Sequence, residues 1–253
     1  MQDRLTEPDL TRFREDGYLV VRGLADARTR EALLAVGRDH LARHVPPVEY
    51  EADLHYPGAP VSLDAPGGRT VRRLLQACAR DAAFRAWATG APVATRLRQL
   101  LGEQILLSQA HHNCLMTKQP RYSSLTGWHQ DIRYWSFQRP ELISVWLALG
   151  RETPENGCLS FIPGTHRMSF ATQRLDADLF LRPDLAENQA LIAQRQTPEL
   201  EAGDTVFFHC RTFHAAGPNR SEATKFSLVF TYRAADNPPL PGTRSASLPE
   251  IAI

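Results

Sequence analysis

Trp128-His129-Gln130-Asp131 is the stretch of this 253-residue chain whose residue types and spacing could do chemistry. In an extended backbone, residues two apart point to the same side. His129 and Asp131 would then enter one space together while Gln130 turns away. An imidazole and a carboxylate delivered this way are two thirds of a two-histidine, one-carboxylate face. That ligand set holds non-haem iron(II) and leaves three coordination positions open for substrates. The third ligand is expected from a distant strand or turn, because such a face closes across a barrel mouth. His214 is best placed. It follows Gly203-Asp204-Thr205-Val206-Phe207-Phe208, a turn and then an apolar strand, and precedes Ala215-Ala216-Gly217-Pro218-Asn219, a turn that would hold it at the strand's end. His209 is the local competitor.

The elements that must position these residues divide the chain into two halves. The first hundred residues read mainly as helix. Thr6 caps, Pro8 sits early in the first turn, and Asp9 to Asp16 continues until Gly17 stops it. Tyr18-Leu19-Val20-Val21 is a short apolar strand. Ala27 to Arg43 has apolar residues at helical spacing, and so does Val71 to Leu101, interrupted near Gly90-Ala91-Pro92. The second half carries short runs of β-branched and aromatic residues between Gly, Pro and Asn. They place strands near Ile105–Met116, Ile143–Leu149, Cys158–Ile162, Asp204–Phe208 and Phe226–Tyr232. The expected fold is therefore mainly β with flanking helices, a double-stranded β-helix or jelly roll. Residues 1–253 are read as one domain. Residues 1–103 are mostly helical support, 104–235 the jelly-roll core and 236–253 a C-terminal tail. Residues 168–200, which carry charges and prolines with weak helical stretches, are expected to be a mobile, lid-like insertion.

Composition narrows the function classes. With 29 basic and 28 acidic residues spread along the chain, there is no basic stripe for a phosphate backbone, so nucleic acid is not an expected partner. Cys78, Cys114, Cys158 and Cys210 lie far apart and make no zinc spacing. The N-terminal MQDRLTEPDL is charged and lacks an apolar leader core, and no apolar run nears the roughly 18 residues of a membrane span. The expected setting is a reducing cytoplasm, with no membrane partner and a monomer or homodimer.

With these residues in view, the chain resembles the phytanoyl-CoA dioxygenase family of iron(II)/2-oxoglutarate oxygenases. The likeness is carried by Asp16 through Gly23, Trp128-His129-Gln130-Asp131, Glu155-Asn156-Gly157-Cys158-Leu159, Ile162-Pro163-Gly164-Thr165-His166, Gly203-Asp204, and His214 through Ser221, in family order over most of the chain. The resemblance implies iron on His129, Asp131 and His214, with 2-oxoglutarate and O2 as co-substrates. It implies a hydroxylase, because in related halogenases a small residue replaces the carboxylate and leaves room for chloride, room that Asp131 fills. It also implies Trp146, Gln130 and Lys118 around 2-oxoglutarate, with the co-substrate's far carboxylate on the basic residue eleven positions after the distal histidine. The family usually has arginine there, and this chain has Lys225. If Phe226 to Tyr232 is a strand, Lys225, Ser227, Val229 and Thr231 face one side and the aromatic and leucine residues the other, which turns Lys225 into the barrel.

The remaining histidines have blander readings. His40, His44 and His55 are read as structural or solvated. One of the adjacent pair His111 and His112 must face the barrel. His166 is read as fixing its own loop. Arg133, Trp135 and Arg211 flank the ligands, as substrate readers or as packing. The substrate class is a small-molecule metabolite, preferably free and polar. A cupin-like metalloenzyme that is not an oxygenase, or a non-catalytic jelly-roll binding module, would share the barrel.

Overall fold

A computed structural model describes residues 3–253, so the first two residues of the charged N-terminal stretch lie outside the described residues. The first helix, α1 (Glu7–Asp16), forms where its sequence directs. Thr6 Oγ1 accepts from the Asp9 amide and the Asp9 carboxylate accepts from the Thr6 amide at 3.0 Å, a reciprocal cap with Pro8 in the first turn. Gly17 ends it at φ 77°. A Cβ at Gly17 would meet His166 Nδ1 at 2.3 Å, so both the backbone conformation and the space demand glycine.

The strands are β1 (Tyr18–Val21), β2 (Val48–Tyr50), β3 (Val71–Leu75), β4 (Ile105–Lys118), β5 (Thr126–His129), β6 (Leu142–Ala148), β7 (Leu159–Phe161), β8 (Thr205–His209), β9 (His214–Ala216), β10 (Lys225–Ala234) and β11 (Ile251–Ala252). They build a large antiparallel sheet in the order β1-β8-β6-β10-β4-β3-β2, with β11 also on β4, and a small sheet in the order β5-β9-β7. The two sheets face each other as the expected jelly roll. Helices α2 (Ala27–Ala42), α3 (Ala77–Arg80), α4 (Ala82–Thr89) and α5 (Ala91–Leu101) cover the outer side of the large sheet.

Strand β10 shows how one sequence serves two cores. Phe226, Leu228, Phe230 and Tyr232 pack with Trp87 and Leu97 under the helices, each buried ring or leucine contributing about 1.5–3 kcal/mol. The alternate Val229 joins Trp146, Phe161, Val206 and Phe208 between the sheets. The site lies in that inner space.

One expectation is revised. Val71–Leu75, expected as the start of a helix, is a strand paired with β4; the helical reading holds only from Ala77 onward. The first hundred residues thus also supply three strands to the large sheet. The stretch 168–200 contributes Leu181 and Leu191 to a buried cluster with Ile162 and Phe213. It also bonds to the small sheet, through Leu181 N to Trp128 O and reciprocal bonds between Gln196 and Phe161, all at 2.8 Å. It carries the short helix α6 (Ala186–Ile192). The tail beyond residue 235 is anchored too, by buried Asn237 and Ser245 and by β11.

Candidate metal centre

His129 is the last residue of β5 and His214 the first of β9, and the two are directly opposite in the strand register. Cross-strand neighbours on one face are close by construction. Their rings stand 4.2 Å apart between centroids. Gln130 stays extended (φ −108°, ψ 133°), so the alternation continues one residue past the strand before a 3-10 turn, Asp131–Tyr134, begins. Asp131 therefore reaches the same space as His129. Its Oδ1 lies 3.8 Å from His129 Nε2 and 3.6 Å from His214 Nε2, and the three ligand atoms lie within 4.8 Å of one another.

The donor set fits a metal ion atom by atom. His129 Nδ1 is 2.9 Å from the Gly127 carbonyl and His214 Nδ1 is 3.0 Å from the Thr212 carbonyl. A carbonyl can only accept, so each Nδ1 carries the hydrogen and each Nε2 lone pair is left to point at Asp131. Asp131 Oδ2 accepts from Ser144 Oγ at 3.1 Å, with His112 Nδ1 at 3.6 Å. Burial pushes His129 well below the usual histidine range, and the neighbouring His214 adds to it, so the ring is neutral and ready to ligate. For Asp131 burial acts upward, but the opposing pull of His112, His214, His129 and the Ser144 hydroxyl holds it below the ordinary carboxylate value.

Of the adjacent histidines, His112 faces this centre. His111 turns outward to Ser245 Oγ at 2.7 Å and stacks near Trp135 and Phe137. Trp135 is buried and sets its edge against His112, and Arg211 donates to the Met168 carbonyl at 2.6 Å. His209 is not near the triad: it pairs with His166 at 5.3 Å between centroids.

Behind the histidines a cavity runs inward, lined by Trp146, Lys118, Lys225 and Arg73 among others. Lys225 is buried and donates to Glu152 Oε2 at 3.0 Å and Ser227 Oγ at 3.2 Å. Glu152, fully buried, also accepts from Trp146 Nε1 at 3.0 Å and Ser227 Oγ at 2.6 Å. Lys118 donates to the carbonyls of Ser124 and Gly217, and its bonds include no carboxylate. Burial, with Arg72 and Lys225 nearby, pulls its pKa down to about 7. Gln130 lies apart from this cavity, its amide donating to the Arg211 carbonyl.

Sequence reasoning missed Glu152 and the β3 arginines. Glu152 follows β6 in a loop that no motif marks, and it is fixed by paired backbone bonds to Leu200 at 2.8 and 3.0 Å. Arg72 pairs with Glu51 at 3.1 Å, and Arg73 with Glu49 at 3.3 Å. Alternation along Val71–Leu75 would have put two arginines on opposite faces, had those residues been read as a strand.

Comparison with known proteins places this geometry. The family model described as phytanoyl-CoA dioxygenase (PhyH) matches residues 13–227. A probable phytanoyl-CoA dioxygenase of Caenorhabditis elegans is 29% identical over 143 residues, covering 54% of this chain and 46% of the relative. An ectoine dioxygenase of Sphingopyxis alaskensis is 24% identical over 243 residues, covering 89% of this chain and 74% of the relative. The first curated relatives span more sequence than is matched: the chain covers only 40% to 51% of their length. Among solved structures, SnoN, a non-haem α-ketoglutarate-dependent epimerase from nogalamycin biosynthesis, is similar with a TM-score of 0.74 at 26% identity, over 93% of this chain and 85% of SnoN. The S. alaskensis EctD structure with 2-oxoglutarate and 5-hydroxyectoine has a TM-score of 0.76 at 20% identity, over 93% of this chain and 78% of EctD, a likeness of fold.

Proposed function

Since the chain belongs to the phytanoyl-CoA dioxygenase family, we propose that it is an iron(II)- and 2-oxoglutarate-dependent dioxygenase that hydroxylates a C–H bond of a small-molecule metabolite, releasing succinate and CO2. The observation that carries this is the convergence of two Nε2 lone pairs and one carboxylate oxygen in a buried site, with both Nδ1 atoms committed to backbone carbonyls. Bound there, iron(II) and 2-oxoglutarate would supply the electrons that activate O2, the oxidant, for attack on a C–H bond, the co-substrate being oxidised to succinate and CO2.

The chain's own residues have separate tasks. His129, Asp131 and His214 hold the ion on one face and leave its opposite side to the cavity. Ser144 and the two carbonyls fix the ligands' orientation, which supporting residues in metal sites typically do at a worth of about 10- to 100-fold in affinity or activity. Lys225 and Lys118 are proposed to attract the co-substrate's far carboxylate at the cavity's inner end, with Trp146 as its wall. Glu152 offsets the Lys225 charge, and Lys118, lowered to about 7, adds a partial positive charge near neutral pH. A lysine offers a point charge, where arginine would offer a planar fork. Residues 168–200 are proposed as a lid that keeps water out until substrate arrives.

The described residues include no helix long and apolar enough to cross a membrane. A cytoplasmic setting is proposed on the four buried free thiols, which suit a reducing compartment. The activity is tested by incubating purified protein with Fe(II), 2-oxoglutarate, O2 and metabolite pools. Succinate that depends on both O2 and one metabolite is expected. Iron binding with no O2-dependent succinate from any pool would favour the cupin-like class instead.

A further inference from the structure

Beside the metal centre, linked to His129 through Phe180, stands a cation with no task so far. Arg133 belongs to the turn that Asp131 opens. Its guanidinium lies against two rings, 3.6 Å from the Phe180 centroid and 4.2 Å from that of Tyr134. Phe180 sets its edge against the ligand His129, 5.7 Å between centroids, and against Tyr56 at 5.6 Å. Cation, rings and metal ligand are thus one connected stack.

The hydrogen bonding of this stack is unbalanced toward donors. Arg133 Nη1 donates to the Asp178 carbonyl at 2.6 Å, and Nη2 donates to the hydroxyls of Tyr56, at 3.4 Å, and of Tyr134. Its buried Nε has no acceptor. No ion pair among the described residues includes Arg133. By contrast, Arg72, Arg73 and Lys225 each have a glutamate within 3.3 Å. The two phenols, 3.4 Å apart, both accept from Arg133; one can donate to the other, which leaves at least one phenol proton without an acceptor. Burial and the Tyr56 hydroxyl push Tyr134 up to about 12, so it keeps that proton. Tyr134 is 50% exposed and can be reached from solvent. A half-buried guanidinium whose Nε–H has no acceptor, and which pairs with no carboxylate, has the donors to take an oxyanion.

We propose that Arg133, Tyr56 and Tyr134 form an oxyanion subsite that selects substrates carrying a carboxylate or phosphate and holds them over the metal. Two rings already lie beside the guanidinium, and its unsatisfied Nε–H suits an oxyanion acceptor rather than another aromatic ring. The subsite's place in catalysis rests on the oxygenase reading; its anion binding does not.

The test uses protein loaded anaerobically with Fe(II) and 2-oxoglutarate, so that those sites are filled, and titrates benzoate, phenyl phosphate and the neutral benzamide by calorimetry. Wild type should prefer at least one anion over benzamide by about 10-fold or more, the value of one charge-assisted bond. The stronger of benzoate and phenyl phosphate identifies the oxyanion. Arg133→Gln should bring the preference to within about 2-fold with benzamide unchanged, and Arg133→Lys should restore part of it. Should Arg133→Gln fold poorly by its Tm, the half-exposed Tyr134→Phe carries the test, with a weaker anion preference expected. Equal binding of anion and amide by wild type, or a full anion preference in the folded variants, overturns the subsite. Failure of wild type to take up Fe(II) and 2-oxoglutarate would instead overturn the oxygenase reading, and the same titration on metal-free protein would still decide the subsite.

Discussion

Among the described residues two pairs of histidines from different parts of the chain set ring against ring, and only one is built to hold a metal. His129 and His214 stand 4.2 Å apart, His166 and His209 5.3 Å apart. Burial lowers the pKa of His129 in the first pair and of both members of the second, His209 to about 3. What differs is where the nitrogens go. In the first pair both Nδ1 atoms donate to carbonyls and both Nε2 atoms converge on Asp131. In the second, His209 Nδ1 accepts from the Arg211 amide at 3.1 Å, and His166 Nε2 reaches the Arg14 carbonyl at 3.1 Å. No carboxylate joins that pair; it ties the end of α1 to the barrel. Convergence of free lone pairs, and not burial or proximity, makes a ligand set.

The sharpest way to break the contrast is at the carboxylate. Asp131→Ala should lower O2-dependent succinate formation by more than about 100-fold, beyond the range seen for merely supporting residues. His209→Gln, assayed beside it, should keep activity within about 3-fold, since surface-remote packing changes act through stability. Comparable losses in both would dissolve the distinction.

A smaller effect is expected inward of the triad. Lys225→Ala removes a charge-assisted bond worth about 1.5–3 kcal/mol, so the KM for 2-oxoglutarate should rise about 10- to 150-fold while Fe(II) affinity stays nearly constant. An unchanged KM would transfer the anchoring to Lys118, whose hydrogen bonds go to the Ser124 and Gly217 carbonyls.

The smallest effect concerns the structural pair and pH. Burial pushes His209 down to about 3 from the ordinary histidine value of about 6.5, so its contribution to stability is fully present above pH 6.5. As pH falls from there toward about 3, the unfolded chain takes up a proton that the folded chain refuses, and that contribution is lost. The slope is at most about 1.4 kcal/mol per pH unit. His209→Gln should therefore show a shallower decline of Tm between pH 6.5 and 4. Parallel profiles would mean that His209 is not the buried neutral group described.

Much of this was legible in the sequence, for identifiable reasons. His129 and Asp131 were readable as a pair because alternation is a local rule, and it survives although the strand ends at His129 and Asp131 opens a turn. Lys225 was readable as inward-facing because Phe226, Leu228, Phe230 and Tyr232 mark the other side of β10. Val71–Leu75 was misread because apolar residues at 71, 74 and 75 fit helical spacing too, and pairing with β4 decides the matter. Glu152 was illegible altogether. Its partners are set by three-dimensional closure, with Lys225 73 residues away in the chain.

The most direct test of the metal assignment is an anaerobic Fe(II) titration of wild type, His214→Ala and His209→Ala, followed by addition of 2-oxoglutarate. The geometry predicts one tightly held iron in wild type and His209→Ala, each responding to 2-oxoglutarate, and loss of tight binding in His214→Ala. Iron retained by His214→Ala and lost from His209→Ala would contradict it.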